Sequence, residues 1–411
     1  MKENIEDYWI YILPHTYCNM KNGCALMYNT LTAEYLETKD RTMISLLEEL
    51  HEEKNLGAVR ISGTLLQSDT FNRIFKDIVS KGLGNAISTC EQRERPIQMM
   101  PVLNLQQDID KMKTMGDFGI GEYLYKYLWE IDIYLSGKCS QDCLYCSWYS
   151  KQVRCCRKGD EHEMSVDMLL GIAEQIKRTA LMKINFYGGN IAAYRYIRDI
   201  DNIFRDFKGE IRVFNHLNNW TDLDLPQHFS NNIIVTFPLD HKSIKDVVEY
   251  SNNKNYQTVF HFIVSSETEY AEAESLIENL VIKRFDILPF YTGYNEDFFT
   301  KFVMQDKKDI LSDNIIPFRR IFSHQKMNGN FFGKLTVLPD GTVYAVLGEK
   351  CIGNLHNDTL LKVIYNELSE NTAWRCVRDK KPCSDCLLQY LCPSPSAYEK
   401  AMDRSNLCLA K

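Results

Sequence analysis

The chain has 411 residues, 45% hydrophobic and 25% charged, with a formal net charge of -7. That is enough apolar material for a sizeable core and enough length for about three ordinary domains. The acidic balance speaks against a broad nucleic-acid surface, which carries a basic patch or stripe, and no apolar run approaches the roughly 18 residues of a membrane span. The acidic N-terminus has no signal-peptide pattern, so the fourteen cysteines point to a reducing cytoplasm, where grouped cysteines more often bind metals than form disulfides.

In chain order, residues 1–90 read as a small α+β unit. Tyr8 to Leu13, Cys24 to Asn29, Ala33 to Thr38 and Val59 to Ile61 are strand-like. Asp40 is the expected N-cap of a helix carrying Ile44, Leu47 and Leu50, and a second helix is expected from Leu66 to Lys81 with Phe71, Ile74, Phe75 and Ile78 on its apolar face. Residues 91–129 are the expected linker and connecting helix, the helix from Asn104 to Lys113. Across 130–325, strands are expected at Ile131 to Leu135, Lys183 to Tyr187, Ile211 to Phe214, Ile233 to Phe237, Gln257 to Val264 and Phe285 to Phe290. Helical patterns lie between most of them. Ser165 can cap one, and Ser266 with Glu269 forms a capping box for another. Alternation of this kind predicts parallel βαβ units and an α/β fold, with ligands on the loops at the C-terminal ends of the strands. Residues 326–411 begin with a hairpin from Leu335 to Tyr344 and a helix from Thr359 to Leu368.

Two cysteine groups carry the chemistry. Cys139, Cys143 and Cys146 form a C-x3-C-x2-C triad directly after the first strand of the α/β segment. Three thiolates can hold three irons of a 4Fe-4S cluster and leave the fourth open to a ligand. Structural zinc, the alternative, takes four ligands in two close pairs, and Cys155 or Cys156 would have to complete the set. Cys383, Cys386 and Cys392, with the distal Cys408, form a second group that suits either zinc or an iron-sulfur cluster, with Cys351 and Cys376 as possible substitutes. Cys18, Cys24 and Cys90 read as small packing residues. The second strand ends in Gly188-Gly189-Asn190, where glycines permit close backbone approach.

The triad, with Tyr145 directly before its third cysteine, closely resembles the motif of radical S-adenosylmethionine (SAM) enzymes. The resemblance implies a partial (β/α)6 TIM-like barrel. It assigns Cys139, Cys143 and Cys146 to the SAM-binding 4Fe-4S cluster, and Tyr145, Gly188, Gly189, Asn190 and Asp240 to SAM. Asn190 replaces the usual acid, and Pro238-Leu-Asp240-His241 departs from the Ser-Leu-Asp-Gly of peptide-maturing relatives. The C-terminal cysteines resemble the SPASM extension, which implies that Cys383, Cys386, Cys392 and Cys408 hold one auxiliary 4Fe-4S cluster. Val346 and Ser396 stand where ligands of a second cluster would be. Leu26-Met-Tyr-Asn-Thr-Leu-Thr-Ala-Glu-Tyr-Leu resembles a winged-helix-like peptide-recognition element, with a plain accessory α+β unit as the alternative. The chain as a whole is similar to peptide maturases of this class, and most to a pseudo-radical-SAM subfamily associated with Gly-Gly leader peptides, through Pro101-Val-Leu-Asn-Leu, Lys183-Ile-Asn-Phe-Tyr-Gly-Gly-Asn-Ile and Pro289-Phe-Tyr-Thr-Gly-Tyr-Asn-Glu-Asp-Phe-Phe. The implied activity is radical modification of a ribosomally made precursor peptide carrying a leader, with flavodoxin or ferredoxin as electron donor. The alternative is a catalytically inactive protein that binds leader peptide and assists a companion maturase. No nucleic-acid or membrane partner is expected.

Overall fold

The computed structural model describes residues 6–97, 110, 124–312 and 315–409. Apart from Asp110, the expected connecting helix and the phrase beginning at Pro101 lie outside these residues. The N-terminal unit contains β1 (Asp7–Ile12), β2 (Thr16–Lys21), β3 (Cys24–Asn29), β4 (Tyr35–Thr38), α1 (Arg41–His51), β5 (Ala58–Ser62), α2 (Gly63–Gln67), α3 (Asp69–Ser80) and β6 (Gly84–Ser88). The Asp40 side chain caps α1 by accepting from the Met43 amide at 2.9 Å. Met43, Leu46, Leu47 and Leu50 line its buried face. The second expected helix is divided into α2 and α3, because Ser68 has extended backbone (ψ 124°) and interrupts the helical turn. β2 and β6 were not expected. Their sequences lack a clean two-residue alternation, and both are held by antiparallel pairing to stronger strands, β2 to β3 and β6 to β1.

The strands form two small sheets, ordered β5-β1-β6 and β2-β3-β4. Central strand β3 is buried on both faces. Ala25 and Met27 join the core of the N-terminal unit, while Leu26 and Tyr28 join Leu388, Leu391, Ile316 and Ile321 of the C-terminal part. The segment that resembles a peptide-recognition element is therefore also a clamp on the C-terminal cysteine region. Asn19 donates to the Leu387 carbonyl at 2.8 Å, and the Tyr28 hydroxyl accepts from the Ile316 amide at 3.0 Å. Tyr28→Phe is expected to leave that amide unpaired in a buried setting and to cost about 1–3 kcal/mol, read as a lower denaturant midpoint. An unchanged midpoint would mean that the two parts are not coupled there.

The large sheet, among the described residues, has the order β12-β11-β10-β9-β8-β7-β13-β14-β15. β7 (Glu130–Tyr134), β8 (Lys183–Tyr187), β9 (Glu210–His216), β10 (Phe229–Val235), β11 (Thr258–Val264) and β12 (Phe285–Pro289) pair in parallel in chain order. β13 (Lys334–Val337) adds in parallel beside β7, and β14 (Thr342–Tyr344) and β15 (Gly353–Asn354) continue antiparallel. The sheet runs from one edge to the other without closing into a barrel. Helices α4 (Cys146–Gln152), α5 (Val166–Ile176), α6 (His241–Lys254), α7 (Glu267–Asn279), α8 (Leu360–Glu370) and α9 (Ala397–Ala401) follow in sequence. One face of the parallel strands is aliphatic and aromatic, with Ile131, Ile133, Ile184 and Phe186 in one core and Ile233, Val235, Phe260 and Phe262 in another. The opposite face carries polar residues near the strand starts and an aromatic row near their C-terminal ends. No helix among the described residues is long and apolar enough to cross a membrane.

Candidate functional site at the C-terminal edge of the parallel sheet

The cysteine triad lies on the loop that leaves β7, and Cys146 opens α4. The loop is fixed by β8 next to it. Gly189 donates its amide to the Ser136 carbonyl at 2.8 Å, and Asn190 donates to that of Lys138 at 2.6 Å. A Cβ on Gly189 would stand 2.4 Å from the Lys138 carbonyl oxygen and 2.8 Å from the Cys139 Cβ. The two glycines thus let the cysteine loop itself lie against the end of β8. Asn190 turns its side chain back to accept from the Ala192 amide at 3.1 Å. Asp240 caps α6, accepting from the Ser243 amide at 3.1 Å and hydroxyl at 2.6 Å. Tyr145 packs against the contacting rings of Tyr149 and Phe290.

Each outer thiol of the triad receives N–H donors. Cys139 Sγ accepts from the Gln141 amide at 3.4 Å and from Asn219 Nδ2 at 3.4 Å, and Cys146 Sγ from the Lys158 amide at 3.2 Å. Asn219 also reaches the Gly189 carbonyl, at 3.3 Å, and so ties the third strand-end loop to the first two. Asn219 and the Lys158 amide were not singled out as partners of the triad in the sequence, where only Cys155 or Cys156 was weighed, as a fourth zinc ligand. The only signal was that Asn219 lies three residues after the end of β9. Burial raises the Cys143 pKa to about 11, with further increments from the charges of Cys156, Cys146 and Cys139. Burial likewise raises the Cys146 pKa, so these two thiols resist ionising without a cation beside them.

Below the triad, this face of the sheet carries stacked rings. Tyr134 and Tyr187 stand 5.0 Å apart between centroids, and Tyr187 and Phe214 4.5 Å. Beneath them Asn185 Nδ2 bridges Glu130 Oε1 and Asp132 Oδ1, at 2.6 Å each. Arg154 pairs with Glu130. Burial, opposed by Arg154, pushes the Asp132 pKa up to about 6 from an ordinary 3.8. Between those values the folded protein keeps a proton that the unfolded chain has lost, so stability falls as pH rises through the window. Asp132 borders a cavity of about 290 Å³ that admits some solvent, which tempers the effect. Asp132→Asn keeps an acceptor for Asn185 and is expected to raise stability by about 1–3 kcal/mol at pH 7.5, with the gain shrinking toward pH 4. Denaturant melts across pH test this, and a pH-independent change would exclude titration of Asp132 as its cause.

The C-terminal cysteines gather at a second place. Cys383, Cys386, Cys392 and Cys408 all line one cavity of about 450 Å³. Arg378 Nη1 and Asn406 Nδ2 approach Cys383 Sγ at 3.9 and 3.7 Å, and the Leu388 amide donates to Cys386 Sγ at 3.3 Å. Burial pushes the Cys392 thiol up to about 12, Arg378 opposing. The four thiols thus line one void, a donor set that either zinc or an iron-sulfur cluster takes. Among the described residues, no three His, Cys, Asp or Glu side chains form a group of the kind that holds one metal ion. Cys376 has its thiol near the carbonyls of Asn371 and Thr372, and Cys351 near that of Gly353; neither lines this cavity.

No family model matches the sequence, and no curated protein matches it either. Solved structures do. The crystal structure of Streptococcus suis SuiB bound to precursor peptide SuiA superposes with a TM-score of 0.51 at 12% identity, covering 97% of this chain and 98% of that one. SuiB bound to S-adenosylmethionine gives 0.47 at 12% identity over 97% and 98% of the chains, and anSMEcpe with bound AdoMet 0.46 at 15% over 64% and 84%. This chain therefore shares the fold of the peptide-bound SuiB structure over nearly its full length, a mixed α/β fold around a mainly parallel sheet.

Proposed function

We propose that this protein is a radical SAM enzyme that modifies a ribosomally synthesised precursor peptide. The observation that carries the reading is the seating of a C-x3-C-x2-C loop at the C-terminal end of the first of six parallel strands, directly against Gly188-Gly189 of the second, in a chain built like SuiB throughout. A 4Fe-4S cluster on Cys139, Cys143 and Cys146 supplies, when bound, the electron that cleaves SAM to methionine and a 5′-deoxyadenosyl radical able to take hydrogen from a peptide. The chain's own residues do the rest. Asn219, Gln141 and Lys158 hold the outer thiols by N–H donation, Gly189 brings the β8 end to the loop, and the Tyr134, Tyr187 and Phe214 rings stack beneath it. Cys383, Cys386, Cys392 and Cys408 are assigned to one auxiliary 4Fe-4S cluster of a SPASM-like segment. The N-terminal unit is assigned to the leader of the precursor peptide on its resemblance to a peptide-recognition element, and a precursor peptide as partner is supported by the one bound to SuiB. A cytoplasmic location and a flavodoxin or ferredoxin donor belong to the same proposal, as do SAM contacts at Tyr145, Gly188, Gly189, Asn190 and Asp240.

A second reading, a catalytically inactive partner of another maturase, is favoured by one set of contacts. The Asn190 side chain is engaged in capping and the Gly189 amide in pairing with Ser136, which takes from SAM two groups that the resemblance offers it. The deciding experiment is 5′-deoxyadenosine production from SAM by anaerobically reconstituted protein with dithionite, with and without the precursor peptide. Production supports the enzyme. Its absence, with both clusters filled, gives the inactive partner.

A further inference from the structure

Alternation along β7 and β13 turns Ile131, Ile133, Leu335 and Val337 into the aliphatic core and leaves Asp132, Tyr134, Lys334 and Thr336 on the opposite face. There, with Tyr187 of β8 and the ends of α4 and α9, these residues line the cavity of about 290 Å³ that Asp132 borders. Val346 and Ser396, the positions at which the SPASM resemblance would put ligands of a second cluster, line it too, and no cysteine does. Its charges are unbalanced. Lys151, Arg154 and Lys334 line it against the single carboxyl group of Asp132. One further acid, Glu130, pairs with Arg154 and stands 3.9 Å from Lys334. Asn185 bridges the two acids, so three cations meet two carboxylates that are already engaged. A donor is also left over. Tyr187 is one per cent exposed and its hydroxyl has no hydrogen-bond partner, although a buried hydroxyl ordinarily has one.

A surplus of cationic groups beside a hydroxyl without an acceptor is complementary to a carboxylate, which accepts from ammonium, guanidinium and hydroxyl alike. The position suits a peptide. Cys146 opens α4, and Gln152 at its other end borders the cavity. That stretch of helix rises about 9 Å, a gap that about three extended residues span. We infer that the cavity is a specificity pocket for an acidic side chain of the precursor peptide, held there while a nearby residue of the same peptide lies at the triad. This rests on the reading of the chain as a peptide-modifying protein and names a residue class that its substrate presents. The pocket sets the register of the peptide, and no bond or electron moves in it.

The test uses the full-length reconstituted protein without SAM and N-acetylglutamate N-methylamide as probe, with binding followed by saturation-transfer NMR. The probe is expected to bind about tenfold more tightly than its glutamine isostere, because hydrogen bonds to a charged group are worth more than neutral ones. Binding should weaken about tenfold in Lys334→Met and about fivefold in Tyr187→Phe. The Tyr187 hydroxyl has no partner to lose, so Tyr187→Phe should keep the wild-type denaturant midpoint and report on the pocket alone. Equal binding of the two probes, no binding of either at tens of millimolar, or undiminished binding by Tyr187→Phe overturns the inference. Tighter binding of uncapped glutamate than of the capped probe also overturns it, since the pocket then takes a free amino acid. Neither SAM nor turnover enters, so these failures leave the enzyme reading standing. Missing 5′-deoxyadenosine with probe binding intact overturns the enzyme and leaves the pocket.

Discussion

Cys143→Ala is expected to bring 5′-deoxyadenosine formation from SAM to background and to remove about four irons per chain while leaving the C-terminal site filled. Cys143 is the middle cysteine of the triad, and burial, with smaller contributions from the neighbouring thiols, raises its pKa to about 11. Without it two outer thiols remain, too few to retain a cluster. Cys392→Ala is expected to remove a similar number of irons from the other site, because all four of its cysteines face one cavity. Iron and sulfide analysis of the two variants and of the double variant should give additive losses. If Cys143→Ala lost no iron, the triad would not be a cluster site, and the enzyme reading would go with it.

Gly189→Ala is expected to destabilise the protein by about 1–3 kcal/mol and to prevent cluster loading. The added methyl meets the Lys138 and Gly137 carbonyls at 2.4 and 2.8 Å and the Cys139 Cβ at 2.8 Å, and backbone of this kind cannot swing away as a flexible side chain could. Relief therefore comes only by pushing the cysteine loop off β8. Gly171→Ala is the internal contrast. Gly171 is exposed within α5 and a Cβ there meets nothing within 4 Å, so this change should stabilise by about 0.5–1 kcal/mol. Denaturant midpoints of the two variants moving in opposite directions, with iron lost only from Gly189→Ala, check both. A Gly189→Ala variant that loads iron normally would show that the contact between β8 and the loop does not position the triad.

Much of the α/β region was legible because its signals are local. The expected strands Ile131 to Leu135 and Lys183 to Tyr187 are short β-rich runs, the first falling on β7 one residue out at each end and the second matching β8, and Ser165 and Ser266 cap α5 and α7 as their spacing suggests, accepting from the Met168 and Glu269 amides at 3.2 Å each. The Cys383, Cys386, Cys392 and Cys408 grouping was legible for the same reason, since three of the four lie within one short stretch. β2 and β6 were not legible, because neither has a pattern of its own and each exists through its partner strand.

The sequence by itself determined the order of βα units, the helix caps, the two cysteine groups and the loop that carries the triad, since each depends on side chains a few residues apart. Tertiary structure alone decided three things. It placed β13 beside β7, joining the C-terminal segment to the parallel sheet across about two hundred residues. It turned β3 into a strand buried on both faces that holds the cysteine-rich end of the chain. It brought Asn219 to the triad and Gly189 against it, because the loops leaving three different strands converge only when those strands lie parallel and in register at one edge of the sheet.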